Sequence, residues 1–362
     1  YDYGGLSNSG ALSWGRPDGS TVGTLTTSNS QFGSVADQQL GNPSYTSITT
    51  FDGRALFSHS NKVEFVKLAQ DVPPEVPATG QTYAASSSSS VSIKPANITA
   101  VLNAGTPLTL QANNDITVQD AITANNPSGN AGALTLQAGR SILINANITT
   151  DNGNFTAIAN DNLASGVVNA NRDSGTAVIT MASGTSINAG TGAVTFELRP
   201  GTGKTYTTSG NLTLLGITAG SLTASNTGPG NGTVSLGTTT LSGNLSVTAN
   251  NAITQSGILT IGGTSTLTAG SANDITFDHS SNNFTGGVRA VSVKNLTLRD
   301  TNALVLGNAS GNSPISGNLT VTTGDAITQA GALSVTGTTG ITTTGDAVTL
   351  ANASNNFTGA VS

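Results

Sequence analysis

Residues whose side chains could do chemistry are few in this chain and lie far apart in the sequence. The two histidines, His59 and His279, belong to no triad motif, and cysteine is absent. Acid–base catalysis and calcium binding need several carboxylates on one face, whereas most aspartates here lie beside Asn or Gly, which is typical of turns. The scattered aspartates are Asp115, Asp120, Asp151, Asp161, Asp173, Asp274, Asp278, Asp300, Asp325 and Asp346. We therefore predict that the chain is not an enzyme and has no catalytic residue, no metal site and no cofactor.

The sequence GTGKT at residues 201–205 superficially resembles a phosphate-binding loop. The first glycine of the GxxxxGK[ST] motif would fall at position 198, which is occupied by Leu198, and no helical pattern follows. A loop without phosphate-binding function is the better interpretation.

The composition excludes several other classes of protein. Only 8% of the 362 residues are charged, against roughly a quarter in an average protein. The net charge of −6 provides no basic footprint for nucleic acid, and no apolar run is long enough for a membrane span. Because the chain starts at Tyr1 without a signal peptide and stops within a repeat pattern, we expect a mature or excised piece of a longer protein.

Three zones differ in composition. Residues 1–71 hold the only Trp and three of the five Tyr, and we predict a cap or subunit-joining element there, with a short amphipathic helix near residues 62–70. Residues 72–95 are rich in Pro and Ser and are predicted to form a linker. Residues 96–362 have few aromatic residues and regularly spaced Gly and Asn, as expected of a repetitive domain.

An internal repeat of 74 residues runs from position 242 onward. The segment SGNLSVT at 242–248 returns as SGNLTVT at 316–322, and AITQSG at 252–257 returns as AITQAG at 326–331. The segment NNFTG at 282–286 returns at 355–359, one residue short of that offset. Four blocks return in the same order, counting Leu259-Thr-Ile261 and Leu333-Ser-Val335, and this indicates a repeat architecture.

Apolar–polar–apolar triplets such as Leu245-Ser-Val247 recur throughout residues 96–362. Alternation at period two predicts short strands with one buried and one solvated face, and the nearby Gly and Asn predict turns. The fold class is therefore all-β, and we predict a right-handed parallel β-helix (β-solenoid) with coils of roughly twenty residues, each adding about 4.8 Å. A small immunoglobulin-like domain per repeat is the alternative. The side chains predicted to face inward are Leu245, Val247, Leu259, Ile261, Leu319, Val321, Leu333 and Val335.

The segment 131–150, AGALTLQAGRSILINANITT, resembles the filamentous-haemagglutinin-like exoproteins of bacterial two-partner secretion. Residues 110–118 and 189–198 look similar to the same family, and the resemblance extends over about residues 96–362. It implies a Gram-negative protein that an outer-membrane two-partner secretion transporter exports to the cell surface or medium. It also implies an adhesin for attachment or biofilm. The secretion domain of that family is not recognisable in residues 1–90.

Two functions follow as expectations. The first is a non-catalytic extracellular adhesin that binds a host or matrix glycan or protein of unknown identity. The alternative is a structural subunit that polymerises head-to-tail into an extracellular filament, sheath or surface layer, because open coil ends invite pairing with another chain. We also expect that some of the frequent Asn-x-Ser/Thr sequences, such as those at Asn244, Asn308 and Asn318, are glycosylated.

Overall fold

The computed structural model describes residues 75–85 and 87–362, and the backbone of five strands before them. Two compact units are formed, residues 1–74 and 75–362. In the first unit, two antiparallel sheets contain the strands β1 (Ala11–Ser13) and β2 (Ser30–Phe32), and β3 (Ser47–Phe51), β4 (Arg54–His59) and β5 (Lys62–Lys67). The helix predicted near residues 62–70 is wrong, because β5 pairs with β4 over residues 62–67, and that segment alternates polar and apolar residues as a strand does.

The second unit is an all-β, parallel β-solenoid of about 11 turns, which confirms the predicted fold class. After the helix α1 (Pro95–Asn103), three short strands form each coil and pair in parallel with the coils before and after. Strand numbers follow the chain order, and the strands divide among three sheets.

Sheet 1 contains β6 (Leu108–Ala112), β9 (Leu134–Ala138), β12 (Phe155–Ala159), β15 (Ala193–Leu198), β18 (Ser221–Asn226), β21 (Leu245–Ala249), β24 (Ser265–Gly270), β27 (Val288–Val293), β29 (Leu304–Leu306), β30 (Ser313–Ile315), β32 (Ile327–Gln329), β33 (Leu333–Val335) and β35 (Asn356–Phe357). Sheet 2 contains β7 (Ile116–Val118), β10 (Ile142–Ile144), β13 (Ala177–Met181), β16 (Ser209–Leu214), β19 (Val234–Leu236), β22 (Ile253–Gln255), β25 (Ile275–Phe277), β28 (Leu296–Asp300), β31 (Leu319–Thr323) and β34 (Thr339–Thr342). Sheet 3 contains β8 (Ile122–Thr123), β11 (Ile148–Thr149), β14 (Ser186–Asn188), β17 (Gly216–Ala219), β20 (Thr239–Leu241), β23 (Leu259–Ile261) and β26 (Asn283–Phe284).

The core is a stack of apolar side chains along the axis of the solenoid. All eight side chains predicted to face inward are at most 2% exposed. Larger rings fill the core at two levels, where Phe155 lies 5.8 Å from Phe196 and Phe277 lies 6.3 Å from Phe284 between ring centroids. The alternation of the triplets therefore predicted correctly which face of each strand is buried.

The coils differ in length. From Leu212 to Thr339, paired residues on sheet 2 are 19 to 23 residues apart, close to the predicted twenty. From Ile142 to Ile179 the distance is 37 residues, because a loop with two short 3-10 helices, Leu163–Ser165 and Asn169–Asn171, is inserted after β12. A second loop, residues 199–208, is inserted after β15. We call these two segments the inserted loops.

Stacked glycines form the corner that leads from sheet 3 to sheet 1. Gly263 N donates to Gly243 O at 2.9 Å, and Gly220 N donates to Gly192 O at 2.8 Å. A Cβ atom at Gly286 would lie 2.3 Å from Gly263 O, so a larger residue there would push neighbouring coils apart. The close approach of the backbones explains why glycine recurs beside the triplets.

The 74-residue repeat does not correspond to a whole number of coils. It carries β21 of sheet 1 onto β31 of sheet 2, ten strands further along the chain, whereas three strands make one coil. Sheet 3 ends at β26, and β29 instead pairs with β27 and β32 of sheet 1. One repeat therefore spans about three and a third coils.

The edge of the first coil is covered by residues 75–85 and 87–103. Ile98 and Leu102 of α1 are buried against this coil, and Gly132 N donates to Leu102 O at 2.8 Å. Gln111 N of β6 donates to Gln81 O at 3.0 Å, and Tyr83 is 3% exposed. Part of the segment that we predicted to be a linker thus packs on the solenoid. Apolar side chains just before β6 shield this edge, and the side chains of residues 1–71, where we predict a cap or subunit-joining element, lie outside the described residues.

Candidate functional surfaces and the buried polar network

Columns of hydroxyl side chains run along the outside of the solenoid. In each triplet the middle residue faces outward, and the parallel register aligns it with the middle residue of the next coil. We call these rows the hydroxyl columns. The column of sheet 1 is Thr109, Thr135, Thr156, Thr195, Thr223, Ser246 and Thr266. The column of sheet 2 is Thr180, Thr213, Ser235, Thr254, Thr276, Thr297 and Thr320.

The rows of middle residues themselves carry no charge over seven successive strands of each sheet. Branched Cβ atoms favour the extended backbone, and the hydroxyl groups remain available to solvent or a ligand. Arg289 continues the sheet 1 column after Thr266 and ends its uncharged part. The rows can therefore donate and accept many weak hydrogen bonds.

Asparagine side chains just before several strands accept hydrogen bonds from backbone N–H groups of the next coil. The Oδ1 atom of Asn244 accepts from Thr264 N at 2.9 Å, and Oδ1 of Asn318 accepts from Thr338 N at 2.9 Å. In both pairs the donor lies one coil further along, 20 residues away. The side-chain amide thus provides an acceptor for a backbone N–H at the corner. A backbone N–H without a partner would lower the stability of the fold. The solvent-exposed Asn244 and Asn318 remain expected glycosylation sites, whereas Asn308 is only 7% exposed.

A pair of amide side chains, which we call the amide clasp, occurs once in each 74-residue repeat. In the first clasp, Asn282 Nδ2 donates to Gln255 Oε1 at 2.8 Å and Gln255 Nε2 donates to Asn282 Oδ1 at 2.9 Å. Leu259 N also donates to Asn282 Oδ1, at 3.0 Å. Gln329, Asn355 and Leu333 make the same contacts in the second clasp. The repeated sequence blocks AITQ and NNF thus specify one three-dimensional contact.

A buried ionic network lies between the inserted loops and Tyr83, which belongs to the segment that covers the first coil. Asp161 has no exposed surface; its carboxylate accepts from Tyr83 OH at 2.8 Å, Arg199 Nη1 at 2.7 Å and Ser165 Oγ at 2.9 Å. Burial alone would raise the pKa of Asp161, but these hydrogen bonds outweigh it and hold that pKa below its usual value. Arg199 Nε also donates to Glu197, at 2.7 Å. The network fixes both loops and residue 83 against the coil.

Basic residues that are scattered in the sequence come together beside this network. Arg172 and Lys204 are 3% and 8% exposed. Burial, and then the charge of Arg140, lowers the pKa of Arg172. The guanidinium of Arg172 also lies 5.7 Å from the ring centroid of Tyr206. The sequence shows no cluster of basic residues. Its only indication of this group is that charged residues occur where the regular spacing of the triplets is interrupted.

The two histidines belong to different units of the chain. His59 lies in strand β4 of the first unit, and His279 lies in the turn before β26 of the second, where Nδ1 accepts from Ser281 N at 3.1 Å. Asp161 and Asp300 are buried, and their carboxylates accept hydrogen bonds within the fold. In the described part of the chain, no three His, Cys, Asp or Glu residues are placed to hold a metal ion. No helix among those residues is long and apolar enough to cross a membrane.

The geometry defines the class of the protein as a parallel β-solenoid. Comparison with known families adds one match: residues 229–291 and 293–362 each match a family described as "Repeats of unknown function (DUF5649)". Each matched segment contains one amide clasp, which supports the repeat read from the sequence. Neither the curated proteins nor the solved structures contain a match.

Proposed function

We propose that this chain is part of the shaft of an extracellular, non-catalytic, fibrous surface protein that acts as a bacterial adhesin. The observation that carries the proposal is the continuous solenoid with neutral hydroxyl columns on its faces. About eleven coils, each adding about 4.8 Å, would extend the chain by about 50 Å. Such a rod can hold a binding surface away from the cell while resisting unfolding through nearest-neighbour contacts.

The biological setting is proposed from the same features and from the resemblance of residues 96–362. We propose a Gram-negative cell surface or secreted location, export through a two-partner secretion transporter, and a role in attachment or biofilm. A stack of short parallel strands suits export as an unfolded chain, because each coil pairs with the one before it and folding can propagate along the axis.

Binding by the purified chain tests the adhesin proposal. The full chain is applied to a glycan array and to immobilised matrix proteins, together with two double variants. One variant carries Thr223→Lys and Thr266→Lys in the sheet 1 column, and its matched control carries Thr213→Lys and Thr254→Lys in the sheet 2 column. We expect saturable binding to at least one surface, lost in only one of the variants. Binding to none of the surfaces, or binding unaffected by both variants, would contradict the proposal.

Electron microscopy of the same sample distinguishes the adhesin shaft from the alternative, a structural subunit that polymerises. A head-to-tail subunit gives ordered filaments that lengthen with concentration, whereas an adhesin shaft gives single rods. If filaments form, deletion of residues 1–71 shows whether that zone joins the subunits.

A further inference from the structure

The lysine of the GTGKT segment is buried against a side-chain amide. Lys204 Nζ donates to Asn160 Oδ1 at 3.0 Å and to Gly139 O at 2.5 Å. Lys204 is 8% exposed, and Asn160 has no exposed surface. An amine and a carboxamide are therefore held within reach of each other in a place largely shielded from water.

The carboxamide of Asn160 is fixed from its nitrogen side. Its Nδ2 donates to Arg199 O at 2.9 Å, to Thr207 O at 2.8 Å and to Ser209 Oγ at 3.0 Å. Gly201, at φ +65°, packs so closely on the amide that a Cβ atom there would lie 2.6 Å from Oδ1. These contacts prevent rotation of the amide and keep its carbonyl directed at Lys204.

The surroundings also favour the neutral form of the amine, which is the nucleophilic form. Burial, and then the charge of Arg172, lowers the pKa of Lys204 to about 8, although the carboxylate of Asp161 opposes the shift. At pH 7 roughly a tenth of such amines would be neutral, against fewer than about one in a thousand for an ordinary lysine.

We propose that Lys204 and Asn160 join in an intramolecular isopeptide bond. The lone pair of Lys204 Nζ attacks Cγ of Asn160, and the electrons of the carbonyl π bond move to Oδ1. One proton of the attacking nitrogen passes to Nδ2, which is held in place by its hydrogen bond to Ser209 Oγ at 3.0 Å. The carbonyl re-forms, the bond between Cγ and Nδ2 breaks, and ammonia leaves. The amine and the carboxamide thus yield a secondary amide and one ammonia, and no oxidant or cofactor is needed.

The bond would tie the inserted loop 199–208 to the end of the coil that contains β12. It would close a loop between residues that are 44 positions apart and would restrict the unfolded chain as a disulfide does. A chain with no cysteine would thereby gain a covalent crosslink that a reducing environment cannot break.

Mass spectrometry of the full chain tests the proposal. The chain is folded, incubated at pH 8 until its mass is constant, and then measured under denaturing conditions. We expect a mass lower than that of the sequence by one ammonia. An Asn-Gly succinimide, for example at Asn152 or Asn231, loses ammonia as well, so proteolytic mapping must also find a branched peptide that joins Lys204 to Asn160.

Three variants complete the test. Lys204→Arg keeps the positive charge and should abolish both the mass loss and the branched peptide, whereas the matched control Lys294→Arg, at an exposed position, should retain both. Ser209→Ala removes one of the acceptors that hold Asn160 Nδ2 and should form the crosslink at least several times more slowly. Circular dichroism confirms that each variant retains its sheet content. A wild-type chain of full sequence mass, or a mass loss without the branched peptide, overturns the proposal.

Discussion

The amide clasp of the first repeat provides a test of how the solenoid holds its corners. In Asn282→Ala, the N–H of Leu259 loses its acceptor in a fully buried place, and Gln255 loses both amide contacts. An unsatisfied buried N–H costs roughly 1–3 kcal/mol, and each neutral hydrogen bond contributes about 1 kcal/mol net. Because the half-buried Gln255 can regain some bonds to water, we expect a loss of about 3 kcal/mol in local stability.

The second repeat contains the matched control. In Asn355→Ala the same contacts to Gln329 and Leu333 are lost. Asn355 is partly exposed, whereas Asn282 has no exposed surface. Water can therefore satisfy the groups left behind, and we expect a loss of only about 1 kcal/mol.

Hydrogen exchange measured by mass spectrometry reads these effects locally, because coils of a solenoid need not unfold together. Peptides covering residues 255–261 should exchange about a hundredfold faster in Asn282→Ala, whereas those covering 329–335 should exchange only about fivefold faster in Asn355→Ala. The double variant of Gln255 and Asn282 to alanine should cost less than the sum of the single variants. Equal effects at the two clasps would refute the argument that burial sets the cost.

Three further substitutions test other parts of the solenoid. Ser265→Ala removes a buried hydroxyl that has no partner among the described residues, so the free energy of unfolding should rise by up to about 1 kcal/mol in urea titrations. Asn318→Ala removes the acceptor for Thr338 N and should cost about 1 kcal/mol, whereas Asn318→Asp keeps an acceptor and should cost less in the same titration. Leu102→Ala leaves a cavity between α1 and the first coil and should cost roughly 2–5 kcal/mol, seen as faster exchange of β6 and β9 with the far coils unchanged.

The triplets were sufficient to predict the solenoid because their information is local. A residue such as Ser246 between Leu245 and Val247 can only face outward when its neighbours face inward, whatever the distant chain does. The coil length also followed from the spacing of the triplets wherever the rhythm is unbroken, as between Leu245 and Ser265, which pair 20 residues apart.

The segment that covers the first coil, with the helix α1, and the buried network could not be predicted in this way. The helix α1 has nine residues and buries only Ile98 and Leu102, so its apolar pattern is too short to stand out. Tyr83 reaches Asp161 across 78 positions of sequence, and Arg199 reaches the same carboxylate across 38. Such pairs depend on how the inserted loops fold back, and a single sequence carries no signal for them beyond the interruption of the regular triplet spacing.

Because one repeat spans about three and a third coils, we predict that the same sequence block can form a strand on different sheets of the solenoid. The same sequence block forms β21 on sheet 1 and β31 on sheet 2, and in both places its apolar residues are buried. If the block specifies a strand and a corner but not a particular face, deletion of residues 245–318 should be tolerated. This deletion joins Asn244 directly to Leu319, so that β31 takes the place of β21 and follows the same residues SGN as before. We expect a folded chain, shorter by 74 residues, with unchanged sheet content per residue in circular dichroism and a cooperative thermal transition.

The control deletes residues 245–281, which joins Asn244 to Asn282 and removes Gln255, so that the remaining Asn282 has no clasp partner. Only the control should lose sheet content or aggregate. If the 74-residue deletion also unfolds, the three faces are not interchangeable, and each copy of the block must be adapted to its own sheet.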